Sequence, residues 1–341
     1  MRYVVFLGLA CILYVTGINA QNDYRVMFYN VENLFDTKDD SLKNDEDFLP
    51  DGFTRWTPWK YWEKLRDITR VITAVGGMQS PALVGLCEVE NDSVLFDLTR
   101  RSPLRAQEYE YIVTRSPDER GIDVALLYQR HQFKLLEHDE YEIRFDRPAS
   151  RPTRNILHAV GELINSDTID VFVCHFPSRS NGQKETEPAR VAAATLLREK
   201  TDSILALRMR PHCIIMGDFN DQPDNKSLLH TLKAGRVRPP FHADKLYNLF
   251  FDHLKARDRG TYKYQGKWNV LDQFMVNGSM LMEENGMYIK DFEAHIFDGE
   301  FLLENDDKYY GKKPYRTNLG PRYHGGFSDH LPIYVDLMIR D

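Results

Sequence analysis

Cysteine is scarce. Cys11, Cys87, Cys174 and Cys213 are the four in a chain of 341 residues. Cys11 lies in an N-terminal segment with the marks of a leader, which leaves three. That number is odd, each of the three sits in an apolar, strand-like run, and no spacing suggests a zinc knuckle. Buried free thiols are therefore expected in place of a disulfide framework or a structural zinc. Positive charge is not in excess either: 44 Lys and Arg face 51 Asp and Glu, for a formal net charge of −7 and a pI near 5.9. This argues against a broad basic face for duplex DNA, while leaving room for a local basic groove beside an acidic site. Long apolar runs are missing beyond the N terminus. There Arg2 precedes an apolar stretch over residues 3–15, followed by Thr16-Gly17-Ile18-Asn19-Ala20. The pattern reads as a secretory leader cut after Ala20, too short and too terminal for a membrane span. A lipoprotein leader ending at Cys11 fits less well, because Gly8 stands three residues before it and the apolar run continues. The mature chain is thus expected to be secreted or periplasmic, with no transmembrane segment. No repeat, low-complexity tract or dividing linker interrupts residues 21–341, which read as one domain. With 42% apolar and 28% charged residues, the composition is that of a soluble globular protein with a substantial core.

What the chain does have is a set of apolar strands that end in polar side chains. The clearest spans residues 210–221. Cys213-Ile214-Ile215-Met216 is a short unbroken apolar run, as expected of a strand covered on both faces. It stops at Gly217, and Asp218 and Asn220 follow with Phe219 between them. Two positions apart in extended chain, they point the same way. The carboxylate can take a proton or hold a cation, and the amide can donate to an anionic oxygen. Gly-Asp-x-Asn also occurs at ordinary turns, so the argument rests on the pattern recurring. It does recur. Residues 24–35 place Asn30 at the end of a strand, on one face with Val26 and Phe28. Residues 82–87 lead into Glu88-Val89-Glu90-Asn91, with Glu88 and Glu90 sharing a face by alternation. Residues 169–174 lead into His175. Asp272 sits inside an apolar strand over residues 268–276, a carboxylate costly to bury without a partner. Phe327-Ser328-Asp329-His330 opens the last strand, residues 331–338.

Between these lie the connections. Residues 36–51 are acidic but lack the spacing of an EF-hand, so a solvated loop is expected. Thr57-Pro58 starts a helix whose stripe is Tyr61, Leu65, Ile68 and Ile72 and whose end is Gly76-Gly77. Trp56, Trp59 and Trp62 suit helix-to-sheet packing better than base stacking. A polar loop over residues 180–188, holding Lys184, precedes a helix from about residue 189 to 207 with Arg190 in its first turn. Such a loop, just past a strand-end histidine, is where substrate contacts are expected. Residues 260–264 and 268–276 read as two strands of a hairpin.

Asn30, Glu88, His175, Asp218, Asn220, Asp272, Asp329 and His330 thus each lie at or near a strand end. Ends of adjacent strands converge in α/β folds. Oxygen ligands from Asn and carboxylates suit Mg²⁺ or Mn²⁺ and not a structural zinc. Two histidines with carboxylates nearby supply proton transfer and an anion clamp. Together they fit metal-assisted hydrolysis of a phosphate ester.

The segments Tyr29-Asn30-Val31, Leu86-Cys87-Glu88-Val89, Cys174-His175-Phe176-Pro177, Gly217-Asp218-Phe219-Asn220, Leu271-Asp272-Gln273-Phe274 and Ser328-Asp329-His330 resemble, in order, the motifs of the endonuclease/exonuclease/phosphatase superfamily, the DNase I-like fold. The resemblance covers about residues 24–340. It departs from the pattern at Cys87, where Gln is usual, and at Phe176, where Leu is usual. It implies a four-layer α/β sandwich, two facing mixed sheets flanked by helices. It implies Glu88 as the principal Mg²⁺ ligand with Asn30 beside it and Asp329 completing the acidic site, with Mn²⁺ and Ca²⁺ as alternative ions. By the same resemblance Asp218 orients or deprotonates the attacking water, Asn220 holds the phosphate, His330 contacts phosphate or water with its ring oriented by Asp272, and His175 stabilises charge developing on phosphate. No family role attaches to Glu90, and no tyrosine is assigned as proton donor. Among the nearby cations Lys184, Arg190, Lys312, Lys313, Arg316 and Arg322 read as surface charges, and Arg179 is the expected phosphate contact. The leading expectation is a secreted or periplasmic nuclease that cleaves phosphodiesters and has no stable protein partner. The alternative is a phosphatase or phospholipase-type hydrolase of inositol phosphates, sphingomyelin or another small phosphoester.

Overall fold

Runs rich in Val, Ile, Leu and Phe favour strands buried on both faces, and here they assemble into two seven-stranded sheets. The computed structural model describes residues 22–145, 151–163 and 167–339, and the leader expected at residues 1–20 lies outside them. The first sheet contains β1 (Asn22–Leu34), β2 (Leu83–Val89), β3 (Tyr109–Val113), β4 (Asp123–Gln129), β14 (Met287–Ile289), β15 (His295–Ile296) and β20 (Ile333–Ile339). Its order is β14-β20-β1-β2-β4-β3, with β15 also on β20. The second contains β5 (Phe133–Tyr141), β6 (Ile156–Leu163), β7 (Thr168–His175), β8 (Cys213–Asp218), β9 (Gly235–Arg236), β10 (Leu246–Asn248) and β13 (Asp272–Asn277), in the order β5-β6-β7-β8-β13-β10-β9. Both are mixed: β1 and β2 run parallel, as do β7 and β8, while β1 with β20 and β8 with β13 are antiparallel.

Alternation along β8 shows how the layers stack. Ile214 and Met216 face the first sheet, in a core with Phe28, Leu126, Val173 and Phe274. Cys213 and Ile215 face the other way, against Ala193, Ala194 and Leu197 of α3 (Gln183–Leu207), which follows the short helix α2 (Asp92–Phe96) in the order of α-helices. Successive side chains on a strand point to opposite faces, so one short apolar run serves two interfaces. On the far side, α1 (Pro58–Gly76) buries the expected stripe of Tyr61, Leu65, Ile68 and Ile72 against the first sheet. The result is helix, sheet, sheet, helix: the expected four-layer α/β sandwich. The sheets approach so closely at Gly85 that a Cβ there would lie 2.9 Å from the Met216 sulfur. Cys87, Cys174 and Cys213 are buried and free, as expected. Among the described residues no helix is long and apolar enough to cross a membrane.

Connections depart from expectation in places. α3 begins at Gln183, not near residue 189, so Lys184 and Pro188 lie inside the helix. Arg190 ties down the early start: its guanidinium donates to the Gln183 carbonyl at 2.7 Å and to Thr186 Oγ1 at 2.7 Å, pinning the first turn around Pro188. The hairpin after residue 260 is also shorter. β11 (Tyr262–Tyr264) pairs with β12 (Lys267–Asn269), and β13 leaves it to join β8. The Thr261 hydroxyl bridges the break by accepting the Leu271 and Asp272 N–H groups at 3.0 and 3.1 Å. Nor is the acidic segment after β1 simply solvated. Asp45 is buried and accepts the Asp40 N–H at 3.0 Å, Phe48 stacks on Phe35 at 4.2 Å, and Trp56 donates to the Phe35 carbonyl at 2.9 Å. Of the three tryptophans, Trp56 is buried packing, whereas Trp59 is exposed with its edge on Tyr323.

Two outcomes follow from this packing. A Cβ on Gly217 would sit 2.4 Å from the Cys174 carbonyl oxygen. Gly217→Ala is therefore expected to lower the unfolding free energy by about 1–3 kcal/mol in a urea titration. Lys64 of α1 is buried, donating to Thr317 Oγ1 and the Phe327 carbonyl. Burial pulls its ammonium from 10.5 down to about 8, against the raising fields of Glu32 and Asp67. Between those values the unfolded chain holds a proton that the native chain has released, so stability gains with rising pH. Relative to Lys64→Met, the wild-type protein should gain about 3 kcal/mol from below pH 8 to above pH 10.5. A flat difference across that range would contradict the assignment.

Candidate active site

The second sheet supplies one row of side chains. His175 ends β7, Asp218 ends β8 and Asp272 begins β13, and the register pairs His175 with Asp218 and Asp218 with Asp272. Each shares its strand's parity with residues of the core between the sheets, namely Val173, Met216 and Phe274. The three polar groups therefore point into the end of the gap between the sheets.

The first sheet meets them there. Asn30 pairs in register with Cys87 on β2. Simple alternation would turn the next residue, Glu88, toward α1. Instead the strand is irregular between Cys87 and Val89, and Glu88 has φ 62. β1 is irregular at the same level, between Asn30 and Leu34, with Glu32 at φ 50 and Asn33 at φ 55. These paired irregularities re-aim Glu88 into the gap, a recurrent use of such features beside functional sites. Its Oε2 accepts the Asn33 N–H at 2.9 Å, and its Oε1 lies 3.5 Å from Asn30 Nδ2. Glu90 does not share its face: it accepts the Asp36 N–H at 2.6 Å, away from the site.

Asn30 joins the two sheets. Its Nδ2 donates to Asp218 Oδ2 at 3.1 Å, while its Oδ1 accepts the Glu32 N–H at 3.0 Å. Asp218 Oδ2 also lies 3.7 Å from His175 Nε2 and 3.8 Å from His330 Nε2. His330 Nδ1 is 2.7 Å from Asp272 Oδ2. That pairing answers the cost of burying Asp272 inside an apolar strand. Ser328 places the segment before the last strand, its hydroxyl donating to the Asn30 carbonyl at 2.7 Å and accepting the His330 N–H at 3.1 Å. Asp329 lies to one side, its Oδ2 3.0 Å from Arg316 Nη2.

The two imidazoles differ in charge. Burial pulls His330 down, but the carboxylates of Asp272 and Asp218 outweigh it and hold its pKa well above the ordinary value. Burial also pulls His175 down, and the nearby positive charges of Arg154 and Arg120 add to this, so it stays neutral. Burial raises Asp218, and the His330 cation opposes the rise. One buried carboxylate thus stands between a protonated and a neutral imidazole.

Asn220 and Arg179 are placed by a neighbouring turn. Asn220 has φ 50, its N–H returns to Asp218 Oδ1 at 2.9 Å, and its Nδ2 donates to the Phe176 carbonyl at 3.1 Å. Arg179 donates to the Asn220 carbonyl, to Asp221 Oδ1 at 3.0 Å and to Asn225 Oδ1 at 2.8 Å. The guanidinium expected to touch phosphate is thus spent on holding the Asn220 turn. Glu32 and Tyr262 escaped the reading of the sequence. Glu32 is a buried carboxylate within an apolar strand, the same signal that singled out Asp272. Tyr262 packs its ring 4.8 Å from that of His330, and nothing in the sequence pairs them.

A hard divalent cation asks for oxygen donors with unused lone pairs. Glu88 offers them, since its Oε1 has only long contacts, 3.5 Å to Asn30 Nδ2 and 4.0 Å to His175 Nε2. Asp218, Asp272 and His330 also bring one ligand-type atom each within 4.8 Å of one another, and Asp272 Oδ1 is buried without a partner. In that trio, however, His330 Nδ1 is already bonded to Asp272. Asn30 meets the site with its N–H₂, its oxygen being taken by Glu32. The donor set fits an oxygen-bound divalent ion at Glu88, with Asn30 orienting the carboxylates.

The sequence model of the endonuclease/exonuclease/phosphatase family matches residues 25–339. The chain belongs to this family. No curated protein matches it. Among solved structures it is similar to a mannosyl-6-phosphatase of Bacteroides thetaiotaomicron, at 18% identity and TM-score 0.56 over 92% of this chain and 99% of that one. The human Nocturnin catalytic domain with bound sulfate is similar at 16% identity and TM-score 0.57, over 93% and 95%. TDP2 of C. elegans, in truncated form, is similar at 15% identity and TM-score 0.55, over 93% and 98%. At these identities the likeness is one of fold, the DNase I-like sandwich. Family membership makes the chain a member of a superfamily of phosphoesterases.

If Asp272 and His330 act as one unit, Asp272→Asn and His330→Asn should each lower turnover by about 10²-fold or more, and the double variant should be no worse than the weaker single. Circular dichroism should show all three folded. Additive losses would separate the two residues.

Proposed function

We propose that this chain is a divalent-metal-dependent phosphoesterase. One observation carries the reading: Asn30, Glu88, His175, Asp218, Asp272 and His330, from opposite sheets and distant parts of the sequence, meet in one buried polar cluster. Glu88 is the principal ligand for Mg²⁺, with Asp329 beside it, and Mn²⁺ or Ca²⁺ as substitutes. When bound, the ion withdraws electron density from the phosphoryl group and neutralises charge on its oxygens. The side chains do the rest. Asp218, held by Asn30 and by the Asn220 N–H, orients the attacking water and accepts its proton. His330, kept cationic by Asp272, donates to a phosphoryl oxygen on which negative charge grows. The remaining amide hydrogen of Asn220 and the neutral imidazole of His175 bind the other oxygens.

For substrate, the order of motifs supports the nuclease reading, with phosphodiester cleavage. A specific observation favours a small phosphoester instead. Cations that could track a polyanion are largely engaged: Arg179 and Arg190 with Asp221, Lys313 with Glu304, and Arg316, through Nε and Nη2, with Glu32 and Asp329. Lys184, Lys312 and Arg322 remain exposed. The leader over residues 1–20 supports a secreted or periplasmic location, which fractionation of the producing cell tests.

EDTA should abolish hydrolysis and Mg²⁺ restore it, and Glu88→Gln should cost at least about 10²-fold in kcat/KM at saturating Mg²⁺. A panel of DNA, RNA and small phosphate esters separates the readings, since a nuclease would lose affinity steeply with salt. Full activity in EDTA, or a wild-type-like Glu88→Gln, would refute the metal assignment.

A further inference from the structure

Arg316 lies in the segment that closes one side of the site, between β17 (Lys312–Pro314) and β18 (Asn318–Leu319). β17 pairs with β16 (Leu303–Asn305), and β18 with β19 (Arg322–Tyr323). Its guanidinium is unusually well held. Nε and Nη2 donate to Glu32 Oε1 at 3.0 and 2.8 Å, and Nη2 lies 3.0 Å from Asp329 Oδ2. Glu32 is fixed in turn: its other oxygen accepts the Thr317 N–H at 2.7 Å, and Thr317 Oγ1 receives the buried ammonium of Lys64. A side chain of high rotamer entropy has thus been locked in place before any ligand arrives. Nε and Nη2 are thereby committed. Nη1 is not: it makes no hydrogen bond to a described residue, and the side chain is 38% exposed. Asp329, which the guanidinium meets, directly precedes His330 in the chain. The Tyr262 ring, which packs on His330, lies in the fields of Asp329, Arg316 and Asp218 together.

We propose that Arg316 is a specificity-determining residue, whose free Nη1 binds a non-bridging oxygen of a terminal, dianionic phosphate, so that the site favours phosphomonoesters over phosphodiesters. This rests on the phosphoesterase reading above. A diester presents two non-bridging oxygens and one charge, which His330, Asn220 and His175 can engage. A monoester presents a third oxygen and, near neutral pH, a second charge. A fixed, always-charged Nη1 donor is suited to receive them. Glu32 and Asp329 hold Nε and Nη2 and so aim Nη1 outward.

The test compares kcat/KM for p-nitrophenyl phosphate and bis(p-nitrophenyl) phosphate with Mg²⁺, and measures competitive inhibition by inorganic phosphate. Arg316→Met alone would strand the buried Glu32 charge, so it is paired with Glu32→Gln, which keeps the acceptor for Thr317. Arg316→Lys is the second variant, retaining charge without an Nη1 donor fixed by Glu32. The wild-type protein should prefer the monoester. In Glu32→Gln/Arg316→Met the monoester-to-diester ratio should fall about 10- to 100-fold, and inhibition by phosphate should weaken similarly. Arg316→Lys should show a smaller fall in both. Equal losses on the two esters, with phosphate inhibition unchanged, would make Arg316 a prop for Asp329 and overturn the proposal. A wild-type enzyme that prefers the diester also overturns it, leaving the phosphoesterase reading intact. Hydrolysis of neither ester, nor of any other in the panel, would instead remove that underlying reading.

Discussion

The hydrogen bond from the Asn30 amide to the Asp218 carboxylate, 3.1 Å long, crosses from one sheet to the other. It can form only if the two strands end at the same level and the sheets stand at one separation. Packing inside the gap sets that separation, with Met216 pressed against Gly85, where even a methyl group would not fit. The register of β7, β8 and β13 then brings His175 and Asp272 alongside Asp218. Everything polar in the site sits on top of this apolar contact. A core substitution that spread the sheets would disturb the site without touching a single polar residue, because close-packed interiors transmit strain.

Backbone strain does the final aiming. Glu32, Asn33, Glu88 and Asn220 all adopt positive φ, a region that side chains other than glycine enter rarely. All four lie at or beside the site. Two of them break the alternation of parallel neighbours at the same height, so that Glu88 and Asn30 face the same gap. The strain is compensated by bonds formed only in that conformation: Asn33 N–H to Glu88, Glu32 N–H to Asn30, and Asn220 N–H to Asp218. Around this frame the charges are graded. His330 is held cationic by two carboxylates and His175 neutral by burial and nearby arginines, which gives one site two imidazoles with different work to do.

Much of this was legible in the chain. Each apolar run ending in a polar residue proved to be a strand delivering that residue to the sheet end, and the apolar alternation around residues 213–216 anticipated burial on both sides. The split hairpin, the early start of α3 and the buried Asp45 were not legible, because each depends on a partner remote in sequence or on a side chain, such as Thr261 or Arg190, completing the backbone's hydrogen bonds. The reading of Glu88 and Glu90 as neighbours on one face failed for a related reason: a bulge changes the phase of alternation without changing composition. Among the loop cations, Arg179 stood out in the sequence as the expected phosphate contact and Arg316 read as a surface charge. Their partners, Asp221 in one case and Glu32 with Asp329 in the other, give them different freedom.

By itself, then, the sequence determined which side chains would stand at strand ends and what chemistry they could do, since residue type and periodicity are local properties. Tertiary structure alone decided which of them meet, which imidazole carries charge, and which arginine keeps a free nitrogen. Those outcomes depend on distances between groups up to three hundred positions apart, as in the 2.7 Å bond from Ser328 to the Asn30 carbonyl, and no local pattern encodes such a distance.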